Sequence, residues 1–303
     1  MHINRRNREA VHAAVDHGER VVGQTESVLL GQFRCAPDDP AFRSAGRIRN
    51  FVVAFPRTAV RIRHDGELAF VADPTVATVY NPGQSYERLP ISADGDRSDW
   101  IAVSERIARE IMEVVDPEAA ALERPFRMAY APVTDGVYLQ QRQLIERAAS
   151  RTAPDGLELE EVAISIVAAT LTAGQHNVPR HSTVGYRARR LAERTRRVVM
   201  ETLPENLTLT QLAREVHASV FHLCRAFRQH TGFTIHEYRR VARLRRALEL
   251  APRYRGNLSA LAIDLGFYSH SHFTAAFRRA FGAIPSEVAA LLPDGREQRP
   301  SVA

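Results

Sequence analysis

The sequence predicts an α+β protein with a β-rich N-terminal domain that also contains helices, followed by an all-α C-terminal domain. Three observations lead to this prediction. Residues 25–92 contain short strand-like apolar runs, one of which alternates with polar residues, and after residue 99 the period becomes helical. Near the C-terminus, one pattern of residues occurs twice. With 303 residues, the chain is long enough for two domains, each with its own core.

The clearest strand signal lies between residues 60 and 80. Residues 60–63 alternate Val and Ile with Arg, an Asp-Gly pair follows, and a second apolar run covers residues 68–71. Two such runs around Asp-Gly predict a β-hairpin. Residues 76–80 predict a further strand that ends at Asn-Pro-Gly. Short strands at this spacing are typical of a small sandwich or barrel.

Helical periodicity predicts helices over residues 102–114, 135–149 and 157–172. The third helix has a broad apolar stripe. This stripe consists of Leu159, Val162, Ile166 and Leu171. It is wide enough to serve both a core and a partner helix, so we expect a homodimer that forms through the second and third helices. The competing interpretation is that the barrel covers the stripe completely.

A polar segment separates the two predicted domains. Residues 174–185 contain one proline and two glycines, a composition that predicts a linker. We therefore place the first domain at residues 1–175 and the second at residues 186–303.

The duplicated pattern covers about residues 209–231 and 258–281. Its matched positions are Leu212, Ala213, Ser219, Leu223, Phe227, Arg228 and Gly232 in the first copy, and Leu261, Ala262, Ser269, Phe273, Phe277, Arg278 and Gly282 in the second. The offset is 49 between the alanines (262 − 213) and 50 between the serines (269 − 219), so the second copy has one extra residue between them. Each copy predicts a short helix, a turn and a serine-capped second helix, which together form a helix-turn-helix.

Two further helices complete the predicted C-terminal domain. Residues 235–250 have helical periodicity and would join the two copies. Pro285 is well placed to open a final short helix, because proline is favoured at the first helical position.

Basic charge is concentrated around the duplicated pattern. Residues 186–290 contain 18 arginines and 8 acidic residues, a balance of +10, whereas the whole chain carries +6. All 41 basic residues are arginine, whose fork-shaped guanidinium suits phosphate and guanine. This distribution indicates a nucleic-acid partner for the C-terminal domain, and the two helix-turn-helix units make double-stranded DNA the expected one.

The second copy resembles the signature of the AraC/XylS-type transcription regulators. The residues that carry the resemblance are Gly266, Phe267, Ser269, Phe273, Phe277, Arg278, Gly282 and Pro285. The resemblance covers roughly residues 186–290, about a third of the chain. It implies a sequence-specific DNA-binding regulator whose N-terminal domain is a cupin-like barrel that binds a small effector. It also implies RNA polymerase as a partner, as for an activator, although the residues do not decide the sign of regulation.

The resemblance also implies which residues meet DNA. In the first copy these are Phe221, Cys224, Arg225 and Arg228, and in the second copy they are His270, Ser271, His272 and Arg278. Ser219 and Ser269 would cap the two recognition helices. Arg225 could instead contact only phosphate, and Phe221 could pack internally.

Three positions depart from the signature. His217 stands where the first turn often has glycine, and we expect the turn to survive because histidine tolerates left-handed geometry better than most residues. Ala275 replaces a long polar side chain, so we expect most direct base reading to fall on the first copy. Val288 replaces an aromatic residue in the last helix.

Two runs of arginine flank the first copy. They are Arg189, Arg190, Arg194, Arg196 and Arg197 before it, and Arg239, Arg240, Arg243, Arg245 and Arg246 after it. We expect general phosphate attraction from these runs, with some of the second run paired to acidic neighbours.

The N-terminal half offers little for enzyme chemistry. A barrel metalloenzyme needs several histidines around one metal, but residues 1–170 contain only His2, His12, His17 and His64. Neither a phosphate-binding glycine loop nor a nucleophile elbow is present. We therefore expect neither metal nor cofactor. An enzyme tethered to DNA by its C-terminal domain remains the alternative, and Cys35 is either a redox-active thiol or an inert, partly buried cysteine.

The sequence predicts neither a signal peptide nor a transmembrane helix. Its first 20 residues are polar and charged, unlike a signal peptide. The longest apolar stretch, residues 162–171, is shorter than the about 18 residues that a transmembrane helix needs. We expect a cytoplasmic protein.

Overall fold

The computed structural model describes residues 17–43, 47–64, 66–150, 153–175, 183–254 and 257–291. Within them, the N-terminal half contains two antiparallel sheets with helices, and the C-terminal half is helical. The predicted fold class is confirmed. The described part of the chain contains no helix long and apolar enough to span a membrane.

The strands form one sheet of six and one of three. The strands are β1 (Glu19–Gln24), β2 (Val28–Cys35), β3 (Phe51–Pro56), β4 (Val60–His64), β5 (Phe70–Ala72), β6 (Val76–Tyr80), β7 (Tyr86–Pro90), β8 (Asp96–Val103) and β9 (Tyr130–Pro132). The larger sheet has the order β1-β2-β8-β3-β6-β9, and the smaller has the order β5-β4-β7. β4 and β5 pair antiparallel around Gly66, which confirms the predicted hairpin.

The described helices include those predicted. They are α1 (Glu105–Val115), α2 (Pro117–Ala120), α3 (Asp135–Ala148), α4 (Gly156–Gln175), α5 (Thr183–Glu201), α6 (Leu209–Glu215), α7 (Val220–Thr231), α8 (Ile235–Leu250), α9 (Leu258–Asp264), α10 (His270–Phe281) and α11 (Pro285–Leu291). The ends of the predicted linker at 174–185 are therefore helical, and its middle, residues 176–182, lies outside the described residues.

The six-stranded sheet uses its two faces differently because side chains alternate along a strand. One face, which includes Leu30 and Ile101, packs on α1, α3 and α4. The other face, with Leu29 and Trp100, turns towards the smaller sheet.

The apolar stripe of α4 belongs to this core. Leu159, Ile166 and Leu171 are each no more than 5% exposed within the single chain, and Val162 is half-buried. The expectation that the stripe also serves a partner helix is therefore wrong, since the sheet and its own helices already cover it.

Candidate nucleic-acid interface

The first helix-turn-helix consists of α6 and α7. Thr208 begins α6 with a capping box that includes Gln211. Ser219 begins α7, where its hydroxyl accepts a hydrogen bond from the His222 backbone N–H at 3.2 Å. Gly232 ends α7 in the left-handed conformation (φ 78°). Polar caps at both helix ends fix the start and the stop of α7 independently of its packing.

The second helix-turn-helix repeats this geometry in α9 and α10. Ser269 accepts from the His272 N–H at 3.1 Å, and Gly282 ends α10 at φ 75°. Residues 221–230 and 271–280 share one sequence of exposed, half-buried and buried positions. Because the burial pattern repeats along both helices, the two copies present equivalent faces to solvent.

The turns differ as the sequence predicts. His217 has a positive φ of 51°, and its counterpart Gly266 has a φ of 75°, so histidine does adopt the left-handed geometry here. The extra residue of the second copy is Tyr268, which is 84% exposed and stacks on His272 with ring centroids 6.2 Å apart. The insertion is thus accommodated outside the core.

Core and surface separate cleanly on the recognition helices. The core positions Leu223, Phe227, Phe273 and Phe277 are fully buried. The exposed residues are Phe221, Arg225 and Arg228 on α7, and His270, Ser271, His272, Ala275 and Arg278 on α10. Phe221 is 70% exposed, which rules out the internal packing considered as an alternative.

Cys224 is the exception among the predicted DNA-facing residues. It is half-buried and packs against the core of the first copy. Its thiol therefore lies at the edge of the exposed face, and we leave it out of the proposed DNA contacts.

The two arginine runs are less available than the sequence suggests. Arg196 and Arg245 are 2% and 1% exposed, so neither can reach a phosphate. Arg243 is also buried. Its guanidinium donates to the Leu203 and Gly266 carbonyls at 2.9 and 3.0 Å, which ties the segment before α6 to the turn of the second copy.

The buried arginines explain how the two halves of the chain meet. Arg196 of α5 donates to Asp73, between β5 and β6, at 2.5 Å. The Tyr238 hydroxyl of α8 donates to the same carboxylate oxygen at 2.6 Å. Asp73 is fully buried, and a buried carboxylate is tolerated when such donors satisfy it. This first cluster fixes α5 and α8 against the N-terminal half.

A histidine extends the same cluster. His230, near the end of α7, lies with its Nε2 3.0 Å from the Tyr130 hydroxyl and 3.1 Å from a Glu193 carboxylate oxygen. Glu193 also accepts from the Val71 N–H at 2.6 Å. Burial raises the pKa of Glu193, but Arg196 and the contacts with His230 and Val71 outweigh it and leave the pKa below its usual value. The recognition helix α7 is thereby connected to β9 of the larger sheet.

A second buried cluster surrounds Glu249, near the end of α8. Its carboxylate accepts from Arg57 at 2.8 Å and lies 3.4 Å from Arg142 and 3.7 Å from Arg97. Asp99 pairs with Arg142 at 2.7 Å. Burial alone would raise the pKa of Glu249, but Arg142 and Arg57 lower it to about 2. Glu249 is therefore ionised in the folded chain, and its negative charge stabilises the packing of α8 against the N-terminal half.

Arg245 forms a third connection from α8. It donates to the carbonyls of Pro74 and Val133 at 2.5 and 2.7 Å and to the Asp135 carboxylate at 2.7 Å. Sequence reasoning found Arg196 and Arg245 but missed the partners that connect them to the N-terminal half, because those partners lie more than a hundred residues away along the chain.

A cavity of about 70 Å³ lies between the two sheets. Its wall combines apolar side chains with a few polar ones. These include Val21, Leu29, Val52, Ala54, Ile62, Tyr80, Tyr86, Asp96, Ser98 and Trp100. Such a mixture is typical of small-molecule sites.

One sequence question about the N-terminal half can be answered from the burial of Cys35. Cys35 is 3% exposed, and burial raises the pKa of its thiol, so it is the inert, buried cysteine and not a reactive thiolate. Within the described residues, no three His, Cys, Asp or Glu side chains are grouped so that they could hold a metal ion.

Comparison with known proteins agrees with the C-terminal geometry. Residues 212–290 match the family model described as a helix-turn-helix domain. The uncharacterized HTH-type transcriptional regulator YidL of Escherichia coli is 32% identical over 100 residues, which are 33% of this chain and 34% of that protein. The HTH-type transcriptional regulator GlxA of Rhizobium meliloti is 37% identical over 90 residues, 29% of this chain and 28% of that protein. The match spans about a third of these curated relatives.

Solved structures of two regulators are also similar to parts of this chain. A transcriptional regulator with an AraC-type DNA-binding domain from Chromobacterium violaceum is 25% identical, with a TM-score of 0.33, and covers 35% of this chain and 94% of that one. ToxT from Vibrio cholerae is 12% identical, with a TM-score of 0.34, and covers 88% of this chain and 99% of that one. Residues 212–290 are a helix-turn-helix domain of the AraC/XylS type.

Proposed function

We propose that this protein is a sequence-specific DNA-binding transcription regulator, not an enzyme, and that α7 and α10 enter successive major grooves. The observation that carries the proposal is the repeated exposure pattern of residues 221–230 and 271–280. Both copies leave one face with two exposed arginines uncovered on a serine-capped helix, and helix-turn-helix proteins read bases with such a helix. With both units in one chain, a single subunit would meet groove faces roughly 10 bp apart.

The two recognition helices would contribute unequally. Arg225 is exposed one turn into α7, where its guanidinium can meet N7 and O6 of guanine. Its counterpart on α10 is Ala275, which offers a methyl group only. We therefore assign most direct base reading to α7, with His270, Ser271 and His272 adding contacts from α10.

The mutual position of the two units is held from inside the domain. Arg243 donates to the Leu203 carbonyl just before the first copy and to the Gly266 carbonyl in the turn of the second copy. In addition, α8 packs on both α7 and α10. A fixed spacing between the recognition helices would make operator spacing part of the recognition.

The experiment measures DNA affinity of the full chain against salt concentration, on an operator selected from random sequences and on scrambled DNA. Affinity should fall steeply with salt, since each neutralised phosphate contributes about −0.9 to the log–log slope. Arg225→Ala should lose about 1–3 kcal/mol of preference for the operator.

The matched control is Arg190→Ala. Arg190 is exposed on α5, outside both copies, so its loss should weaken operator and scrambled DNA by the same factor. If Arg225→Ala lowers both affinities equally, Arg225 is a phosphate contact. If the chain shows no salt-dependent binding at all, the proposed function is wrong.

The N-terminal half is proposed as the effector-binding part. The cavity between its sheets supports a ligand site, and the buried clusters around Asp73 and Glu249 support transmission to the recognition helices. An effector would act by changing the population of this closed arrangement of the two halves.

Partners beyond DNA also belong to the proposal. We propose a homodimer and contact with RNA polymerase at promoters. Since the α4 stripe is used internally, the dimer surface must lie elsewhere. Val114 and Leu157 are 86% and 77% exposed and support a surface on the outer side of α1 and α4. Sedimentation of the full chain at tens of micromolar tests the dimer, and a strict monomer there contradicts it.

A further inference from the structure

An open groove of about 670 Å³ lies on the exposed face of α10. Its lining includes Ser271 and Ala275, two small and exposed residues that lie one helical turn apart. The same two positions of α7 hold Phe221 and Arg225, which are also exposed. Because the two helices share one burial pattern, the small side chains of α10 leave open the space that large side chains occupy on α7.

The larger polar side chains at the start of α10 have partners within the same unit. The Nε2 of His270 lies 3.4 Å from the Thr274 hydroxyl, and the His272 ring stacks on Tyr268 with centroids 6.2 Å apart. Ala275 lies further along the helix and is exposed. Its methyl group is therefore available to a partner outside the chain.

The charge around the groove suits DNA as that partner. Arg278 and Arg279 line the groove and are both exposed. Exposed guanidinium groups attract the phosphates on either side of a major groove, and the N-terminal part of a recognition helix then meets the base edges between them. The groove on α10 therefore faces base edges when the helix lies in DNA.

A methyl side chain discriminates between base edges by apolar contact alone. It neither donates nor accepts a hydrogen bond, and the one methyl group that base pairs present in the major groove is the C5-methyl of thymine. The neighbouring hydroxyl of Ser271 can pair with either kind of base edge. The preference of this part of α10 therefore depends on Ala275.

We propose that Ala275 contacts the methyl group of a thymine, so that α10 selects an A·T pair at the position where α7 selects guanine through Arg225. The proposal rests on the proposed function, because it names the base pair that the second recognition helix reads. It also gives the space beside Ala275 a use, since a base edge can approach the helix more closely there than beside an arginine.

The test replaces each thymine of the selected operator, one at a time, by uracil, which lacks only the methyl group. The half-site of α10 is the one whose base preferences survive Arg225→Ala. At one thymine of that half-site, the replacement should weaken binding of the full chain about fourfold, the contribution of about one buried methyl group. Scanning every thymine makes the other positions internal controls.

Ala275→Gly removes the methyl group from the protein instead of the DNA. The ratio of affinities for thymine and uracil operators should then fall from about four to about one. A less stable helix lowers both affinities alike and cancels in this ratio. Arg279→Gly is the matched control, because it places glycine at another exposed position of α10 and should leave the ratio at about four.

Ala275→Arg gives α10 the counterpart of Arg225. An arginine at this position can donate to N7 and O6 of guanine. A second selection from random sequences with this variant should therefore yield a G·C pair where the wild-type chain selects A·T.

Three results would overturn the proposal: uracil tolerated at every thymine of the α10 half-site, a thymine-to-uracil ratio that Ala275→Gly leaves unchanged, or continued selection of A·T by Ala275→Arg. Failure of the proposed function is a different outcome, in which the full chain binds operator and scrambled DNA equally. A chain that keeps its operator preference but is insensitive to the methyl group refutes only the base pair assigned to α10.

Discussion

Replacing Glu249 by glutamine removes the carboxylate that α8 places among Arg57, Arg97 and Arg142 of the N-terminal half. The pKa of Glu249 is about 2 in the folded chain, against an ordinary value of 4.5. A difference of about 2.5, at about 1.36 kcal/mol for each unit of pKa, corresponds to about 3 kcal/mol of stability at neutral pH. Removing one partner of a buried ion pair typically costs about 3–5 kcal/mol. We therefore expect Glu249→Gln to lower the free energy of unfolding by about 3 kcal/mol at pH 7.

The pH dependence gives the sign of the effect. Because the folded pKa of Glu249 lies below its unfolded value, the stabilisation is fully present above about pH 5 and is lost as pH falls towards 2. By pH 3 about 2 kcal/mol of the difference between wild type and Glu249→Gln should have disappeared.

The assay is urea unfolding of the full chain, followed by Trp100 fluorescence and circular dichroism at pH 7, 5, 4 and 3. Glu215→Gln is the matched control, because Glu215 is exposed on α6 and its loss should change stability by no more than about 0.5 kcal/mol. A difference below about 1 kcal/mol at pH 7, or one that stays constant down to pH 3, would refute the reasoning.

Two further predictions concern single residues of the C-terminal domain. Tyr238→Phe removes a buried hydroxyl that donates to Asp73 at 2.6 Å, so it should destabilise the chain by about 1–3 kcal/mol. Tyr186→Phe changes a tyrosine that is 45% exposed and should have almost no effect in the same urea titration. Equal effects of the two substitutions would contradict the role of the Asp73 cluster. His217→Gly replaces a residue in the left-handed conformation, with φ 51°. This conformation costs a residue with a side chain about 1–2 kcal/mol, whereas glycine loses about 0.5–1 kcal/mol more conformational entropy on folding. The melting temperature of this variant should rise slightly, and a fall would show that the imidazole itself stabilises the turn.

The helix-turn-helix units could be predicted almost completely from the sequence because their signals are local. Ser219 and Ser269 cap the next turn of their own helices, and Phe227 and Phe277 lie one helical turn from Leu223 and Phe273. The hairpin of β4 and β5 was predictable for the same reason, since its two apolar runs are neighbours along the chain and pair antiparallel on either side of Gly66.

The sequence did not show what contacts the apolar stripe of α4 or the two arginine runs, because those contacts depend on distant parts of the chain. Helical spacing shows that Ile166 and Leu171 share a face, but it does not show what covers that face, and here the chain's own sheet does. Arg190 and Arg196 likewise belong to the same run of arginines in the sequence. Arg190 is exposed to solvent, whereas Arg196 is buried and paired with Asp73.

The sequence by itself determined the two-part organisation, the duplicated helix-turn-helix and the positions of Arg225 and Ala275 on equivalent helix faces, because periodicity, caps and spacing act within a few residues. Only the tertiary structure decided that Glu249 lies among Arg57, Arg97 and Arg142, that Asp73 receives Arg196 and Tyr238, and that Trp100 lies across Gly31 in a cavity wall. Those contacts join residues that are distant along the chain. Their partners are chosen by how the sheets and helices pack, and nothing in the local pattern of a carboxylate or a glycine specifies which distant group it will meet.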